Sequence, residues 1–375
     1  MTAQAKAHTG AEARPKLVCR LSAELSAEDA ARFDAFTGSG PHASYMQKTS
    51  WVGLSPSRRL REFLYLTCEE AGEIRVAGLA RLTPLYRGRY LAKFQRGPVF
   101  NEIEHFDGAL PLLLSGLREA GACTVMMNPR WEDEGAASVE KVLAAHGMRE
   151  LSRRDQSMYS STGIVDLDRP EEEIFADFER RCRKDIRRGV KKGVRVRPAA
   201  NQEEARLVRG RREELVAIRK FEDFGQPDLV DQWRSFQKNE DGVLLLAEAE
   251  GQVLAGLAVA MEGERAVARG GGAPPILPAV PRLHNLIWES MRIFRNKGCT
   301  AYDLAGVNDE SESDSRALKR DFFKQAFNPR VVRLVPIYCA ALRPLDHALF
   351  YNAWRWYRRT PLKKIVGGLL RRAWR

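Results

Sequence analysis

The chain has 375 residues, of which 44% are hydrophobic and 29% charged, and it carries a formal charge of +12. Domains average roughly 100–200 residues, so two packed cores are expected, and the composition reads as soluble and globular. No stretch approaches the ~20 apolar residues of a spanning helix, and the net positive field favours an anionic partner: a phosphate-bearing small molecule, RNA or an anionic lipid surface.

The first twenty residues, MTAQAKAHTGAEARPKLVCR, lack the apolar region of an export signal. Residues 1–15 are expected to be disordered and the protein to stay in the cytoplasm. Cysteines at 19, 68, 123, 182, 299 and 339 form no C-x-x-C pair and meet no His cluster. Reduced, buried thiols are expected, with neither a disulfide framework nor a metal site.

REFLYLTCEEAGEIRVAGLARLTPLYRGRY (61–90) resembles DGVLLLAEAEGQVLAGLAVAMEGERAVARG (241–270). Each is a β-rich run, a turn at Gly72 or Gly251, and a second apolar run through Ala-Gly-Leu-Ala. LREAGACTVMMNP (117–129) likewise resembles FRNKGCTAYDLAG (294–306). Gly256 follows Gly78 by 178 residues and Cys299 follows Cys123 by 176, a shared displacement that unrelated matches would not produce. A duplicated α/β module with mixed sheets is therefore expected. Its order of hairpin, further strand, helix and strand resembles the GNAT-type acyltransferase fold. The expected division is a first module over 16–160, a second over 161–335, and a C-terminal helical segment over 336–375 whose first part packs back on module one.

The junction falls near SSTGIVDLDRPEEE (160–173), where a strand runs into a helix. Asp168 is placed as N-cap with Glu171 three residues on, and Pro170 sits in the first turn. Ile174, Phe178, Cys182, Ile186 and Val190 recur every four residues as one apolar face, and Gly193 ends the helix. RCRKDIRRGVKKGVRVR (181–197) holds nine basic residues and one acid. Cations near a helix C-terminus meet the dipole at ~0.3–1 kcal/mol each, but that effect fades within one turn and these charges span about four. Arg187, Arg188, Lys191 and Lys192 are candidates to receive a polyphosphate or an RNA backbone; a solvated helix face explains them equally well. No aromatic residues interleave, which argues against stacking on single-stranded bases.

Gly270, Gly271 and Gly272 follow Arg269 and precede Ala273-Pro274-Pro275. In the GNAT resemblance this place holds the coenzyme A pyrophosphate, but the proline-rich continuation separates the glycines from the next helix. A flexible loop over a donor or acceptor groove is expected. Asp303, near the end of a strand in AYDLAG, is placed to accept an amine proton; a turn acid at a strand end is the plainer reading. No G-x-S-x-G elbow or H-E-x-x-H pair occurs. In the tail, LDHALFYNAWRWYRRTPLKKIVGGLLRRAWR (345–375), three tryptophans accompany basic residues and a single acid. Residues 345–359 are expected to pack on module one, and 360–375 to reach an anionic membrane surface.

CRKDIRRGVKKGV (182–194) resembles the Y-N-I-R-K-A-x-K-x-G-V segment of the Fem (FemABX-type) peptidyltransferases. MQKTSW (46–51), QRGPVF (95–100), AIRKFEDF (217–224), GCTAYDLAGV (298–307) and ALKRDFFKQAF (317–327) resemble further family segments in the family's order. The resemblance spans roughly Ser44 to Tyr338. It implies two tandem GNAT-like domains and transfer of an amino acid from aminoacyl-tRNA to a peptidoglycan precursor. It also implies Lys324 as the charge that steadies the transition state, and Lys48, Trp51 and Arg219 as contacts to the nucleotide or pyrophosphate of the acceptor. Lys184-Asp185 replaces the family's Tyr-Asn, Lys220 and Phe221 break its R-D-G-F, and Asn328-Pro329 replaces the glycines after Phe327.

Three functions follow as expectations. The first is aminoacyl transfer at the cytoplasmic face of the membrane to a lipid- or nucleotide-linked envelope precursor, with tRNA as a partner. The second keeps the fold but takes acyl-CoA as co-substrate and N-acylates an amino sugar or exopolysaccharide unit in envelope or exopolysaccharide biosynthesis. The third is a non-catalytic tandem domain that binds RNA or membrane. None needs a tightly bound cofactor.

Overall fold

The computed structural model describes residues 17–54, 62–86, 88–219, 227–275, 280–307, 322–351 and 353. Two mixed sheets carry the chain, one of eight strands and one of seven. The first runs β1 (Val18–Ser22), β2 (Glu62–Glu70), β3 (Glu73–Tyr86), β4 (Arg89–Phe94), β6 (Ala122–Met127), β15 (Tyr338–Ala341) and β7 (Arg149–Glu150), with β5 (Val99–Phe100) paired to β3. The second runs β9 (Arg195–Pro198), β10 (Gly242–Ala249), β11 (Gln252–Glu262), β12 (Arg265–Gly272), β13 (Ala301–Gly306), β8 (Ser161–Asp166) and β14 (Arg330–Arg333).

The repeat read in the sequence is the repeat in space. Both hairpins turn through two left-handed residues, Ala71-Gly72 and Glu250-Gly251, the conformation that matches the twist of the flanking strands. Each hairpin then shifts register beside its turn, at Cys68/Glu69 and at Ala247/Glu248. In each module a helix, α3 (Ile103–Glu119) or α9 (Leu283–Asn296), carries the chain into a parallel pair, β4·β6 or β12·β13. A parallel pair requires such a crossover.

The sixth strand of each sheet is the last strand of the other repeat, which moves the junction from 160/161 to the end of β8. β8 follows β7 in sequence yet pairs β13 and β14 in the second sheet, whereas β15 follows β14 yet pairs β6 and β7 in the first. The modules are thus laced together by a reciprocal exchange, and residues 338–341 are a strand where a helical segment was expected. A chain cut between Asp166 and Leu167, after β8, leaves each half short of a strand flanked on both sides. We expect neither half to fold alone, and the two together to recover the circular dichroism of the intact protein; an independently cooperative melt of either half would contradict this.

The helix expected over 170–193 is two helices, α5 (Glu171–Asp177) and α6 (Arg180–Lys191), with Pro170 rather than Asp168 at the first N-cap. Ile174, Phe178, Cys182 and Ile186 are buried as their spacing predicted, but Val190 is 62% exposed and Gly189 takes the inner position. The cause is a close crossing with α9: a Cβ at Gly189 would lie 2.6 Å from the Pro281 carbonyl oxygen and 2.2 Å from Asn285 Oδ1. Cys19 and Cys68 correct a further expectation, being cross-strand partners of β1 and β2 joined by a disulfide. Only that register brings together residues 49 apart in sequence.

Candidate functional site

The two parallel pairs differ in one respect. β4 and β6 stay paired to their last residues, Phe94 and Met127. β12 and β13 pair only over Arg265–Val267 and Ala301–Asp303, then diverge while β12 runs on to Gly272 and β13 to Gly306. The second module alone therefore presents two separating strand ends, with unpaired backbone on both walls.

Each wall carries a bulge. On β12, Val259 pairs Ala268 and Ala258 pairs Gly270, leaving Arg269 as the extra residue. On β13 the register against β8 shifts between Asp303 and Gly306, and Ala305 adopts φ 59°. Bulges of this kind turn side chains out of the sheet's alternation. Arg269 accordingly lies over the rings of Tyr45 and Trp51 from module one, its guanidinium carbon 5.9 and 5.8 Å from their centroids. On the other wall, Lys324 Nζ donates to the carbonyls of Ala305 at 2.9 Å and Gly306 at 2.6 Å. Tyr159 packs on Gly306, where a Cβ would come 2.6 Å from its ring, and the Arg96 guanidinium stacks 4.5 Å from the same ring. Lys324 thus fixes a positive charge at the end of β13, where an oxyanion could be met.

Beneath the opening, a desolvated ion cluster joins the modules. Arg130, after β6, reaches Asp303 at 2.9 Å and Glu262 at 3.2 Å, and all three side chains are at most 1% exposed. Arg265 completes the cluster on Glu132 at 2.8 Å. Asp303 also accepts from the Thr162 hydroxyl and the Ala305 amide. Burial alone would raise its pKa, but the charge and hydrogen bond of Arg130, with Thr162 and Arg265, hold it below the usual carboxylate value. This overturns Asp303 as the proton acceptor: its oxygens are occupied and its basicity is reduced, so it positions β13 instead.

That shift has a pH signature. An unfolded Asp titrates near 3.9, so between that value and the lower folded one the unfolded chain binds more protons. The contribution is full above about pH 4 and disappears as pH falls through the folded pKa. Urea midpoints should therefore drop below about pH 4, and Asp303→Asn should flatten that limb from a lower starting stability. An unchanged acid limb in the variant would remove Asp303 from this role.

The other expected residues are scattered. Lys48 is paired with Asp241 at 2.9 Å, and Trp51 is 7% exposed in the core between the modules. Arg219 ends α7 (Gln202–Arg219) and is exposed, while Lys220 and Phe221 lie outside the described residues. Gly270, Gly271 and Gly272 are the end of β12, not a loop. Their bareness admits neighbouring backbone: a Cβ at Gly272 would lie 2.4 Å from the Arg212 amide nitrogen, and one at Gly271 2.1 Å from the Gly256 carbonyl oxygen. Arg187, Arg188, Lys191 and Lys192 are exposed along α6, with Arg188 3.1 Å from Asp185. Tyr159, Arg96, Arg130 and Arg269 were not singled out from the sequence as site residues; Arg96 fell within the QRGPVF segment without a role, nothing local marks Tyr159 or Arg130, and a β-bulge is visible only in the pairing. Thiols of Cys182 and Cys299 are pushed up to about 12 and about 11 by burial and stay protonated. Among the described residues no group of three or more metal-ligating side chains is close enough to hold an ion, and no helix is long and apolar enough to cross a membrane. The tail from 354 onward, with its expected membrane contact, lies outside the described residues, as do residues 1–16.

Taken together, the duplicated sheets and the single opened strand pair define two tandem GNAT-like domains. The architecture is Fem-like: the crystal structure of FemX superposes with a TM-score of 0.76 over 88% of this chain and 99% of that one, at 15% identity. L-PGS from Bacillus licheniformis (TM-score 0.54, 16% identity, 89% and 97% covered) and a conserved protein of unknown function from Bacteroides thetaiotaomicron (0.58, 11%, 87% and 100%) share the fold. No family model matches the sequence, and no curated protein matches it significantly.

Proposed function

We propose that the chain transfers an aminoacyl group to an amine of a lipid- or nucleotide-linked cell-envelope precursor, and that the bond forms in the opening between β12 and β13. The observation that carries this reading is the splayed pair of sheet two, with the Lys324 ammonium anchored at the end of β13. Acyl transfer to an amine develops negative charge on the carbonyl oxygen, and one well-placed donor is worth about 3 kcal/mol at that point. The lysine supplies charge without forming a covalent intermediate.

The donor is read from α6. The start of α6 adjoins the Lys324 segment: Arg181 stacks on Phe322 and donates to its carbonyl, and the amide of the N-cap Glu179 donates to the Ala326 carbonyl at 3.0 Å. Phosphates bound along Arg187, Arg188, Lys191 and Lys192 would be steered toward the opening. Acyl-CoA fits less well, because α6 crowds the start of α9, where a pyrophosphate would meet helix amides.

Purified protein given a nucleotide-linked or lipid-linked muropeptide should form an amide product with charged tRNA and none with acetyl-CoA. Product from acetyl-CoA alone would move the chain to the acyl-CoA reading, and product from neither would favour a binding role. Replacing Arg187, Arg188, Lys191 and Lys192 together with alanine should weaken tRNA binding and reduce the salt slope by about 0.7–0.9 for each phosphate no longer neutralised. An unchanged slope would detach α6 from the donor.

A further inference from the structure

We infer that Arg269 is the anion anchor of the cleft, gripping a pair of phosphate or carboxylate oxygens on the acyl acceptor; this rests on the opening being the transfer site. The Fem resemblance gives contacts to the acceptor's nucleotide or pyrophosphate to Lys48, Trp51 and Arg219, and the electrostatics of this chain take Lys48 out of that set.

Lys48 Nζ is 2.9 Å from Asp241, a carboxylate only 5% exposed, so its charge is met within the protein. Arg212 donates to the Gly271 carbonyl at 3.0 Å, and Arg130 and Arg265 belong to the buried ion cluster. Arg269 has no carboxylate partner among the described residues and meets only the faces of Tyr45 and Trp51. Rings at that distance hold a guanidinium plane without using its N–H donors. Those donors fit a two-oxygen anion bidentately.

Two further features sit beside it. The bulge on β12 is Arg269 itself, so the backbone departs from regular pairing at the one position that aims this side chain. The Tyr45 hydroxyl is buried without a hydrogen-bond partner among the described residues. Burial, then the neighbouring Asp241 charge, raise its pKa, so it is a protonated donor near Arg269 and Asp241. A hydroxyl donor beside a guanidinium suits one oxyanion bound by both.

The test is calorimetric binding to the full chain, with inorganic pyrophosphate in one arm and acetyl-D-alanyl-D-alanine in the other to separate phosphate from carboxylate. Arg269→Met should lower affinity for the preferred anion by about 10- to 100-fold, the range for a lost charge-assisted hydrogen bond. Arg269→Lys should fall between, since it keeps the charge and loses the fork, and Lys48→Arg, which keeps a cation on the buried Asp241 carboxylate, should change affinity less than about threefold. Wild-type affinity in Arg269→Met, a larger loss in Lys48→Arg, or no binding of either anion to the wild type would overturn the inference. The transfer reading fails separately: a chain that binds the anion through Arg269 and makes no amide with any donor refutes transfer and leaves the anchor standing.

Discussion

Arg130→Ala is expected to destabilise the protein by about 3–5 kcal/mol, because it strands buried carboxylates without their counter-charge. Asp303 and Glu262 are 0% and 1% exposed and belong to module two, whereas Arg130 belongs to module one. The loss thus falls on the seam between modules and lowers the urea midpoint of the whole chain. Replacing Arg130, Asp303 and Glu262 together with apolar residues of similar volume should recover most of the loss, since desolvated ion clusters are often neutral against packed hydrocarbon. A single variant within about 1 kcal/mol of wild type would mean that water reaches the cluster.

The seam also bears on dynamics. Domains joined by small polar interfaces move freely. Here two exchanged strands and a buried ion cluster fasten the modules, while Phe33, Tyr45 and Trp51 share one core with Ala258 and Ala260 of β11. The opening between β12 and β13 is therefore held in a fixed relation to Arg269, Trp51 and Tyr159.

Much of this architecture was legible in the sequence. The paired Ala-Gly-Leu-Ala runs and their common displacement revealed the duplication, because a turn flanked by two apolar runs constrains residue type at each step. Ile174 to Ile186 announced a buried helix face through spacing alone. Long-range geometry was hidden. The exchange of β8 and β15 leaves no local trace, since either strand suits either sheet; Cys19 and Cys68 become neighbours only through register. Gly189 displaced Val190 from the core because α9 approaches α6 too closely for a side chain, a fact of packing rather than of periodicity.

The site was legible to a smaller degree. Lys324 and the neighbourhood of Trp51 came from resemblance and lie on or beside the opening. Asp303 was misread because a carboxylate at a strand end looks the same whether it faces a substrate or Arg130. Gly270 to Gly272 suggested a flexible loop over a groove, whereas the missing side chains admit α7 and β11. Arg269 beside them was not marked in the sequence, as a guanidinium without a carboxylate partner among the described residues is visible only in the structure.

Lys324 carries the central claim, and its carbonyl contacts allow charge to be separated from scaffolding. Steady-state transfer should be measured for Lys324→Ala and Lys324→Gln alongside the wild type. Glutamine can donate to the Ala305 and Gly306 carbonyls but brings no charge. If the ammonium steadies the oxyanion, both variants should lose about 10²–10³ in kcat with KM little changed, the usual result of removing one such donor. Glutamine restoring the rate, or alanine retaining it within a few fold, would show that the lysine only braces β13 and that the chemistry lies elsewhere.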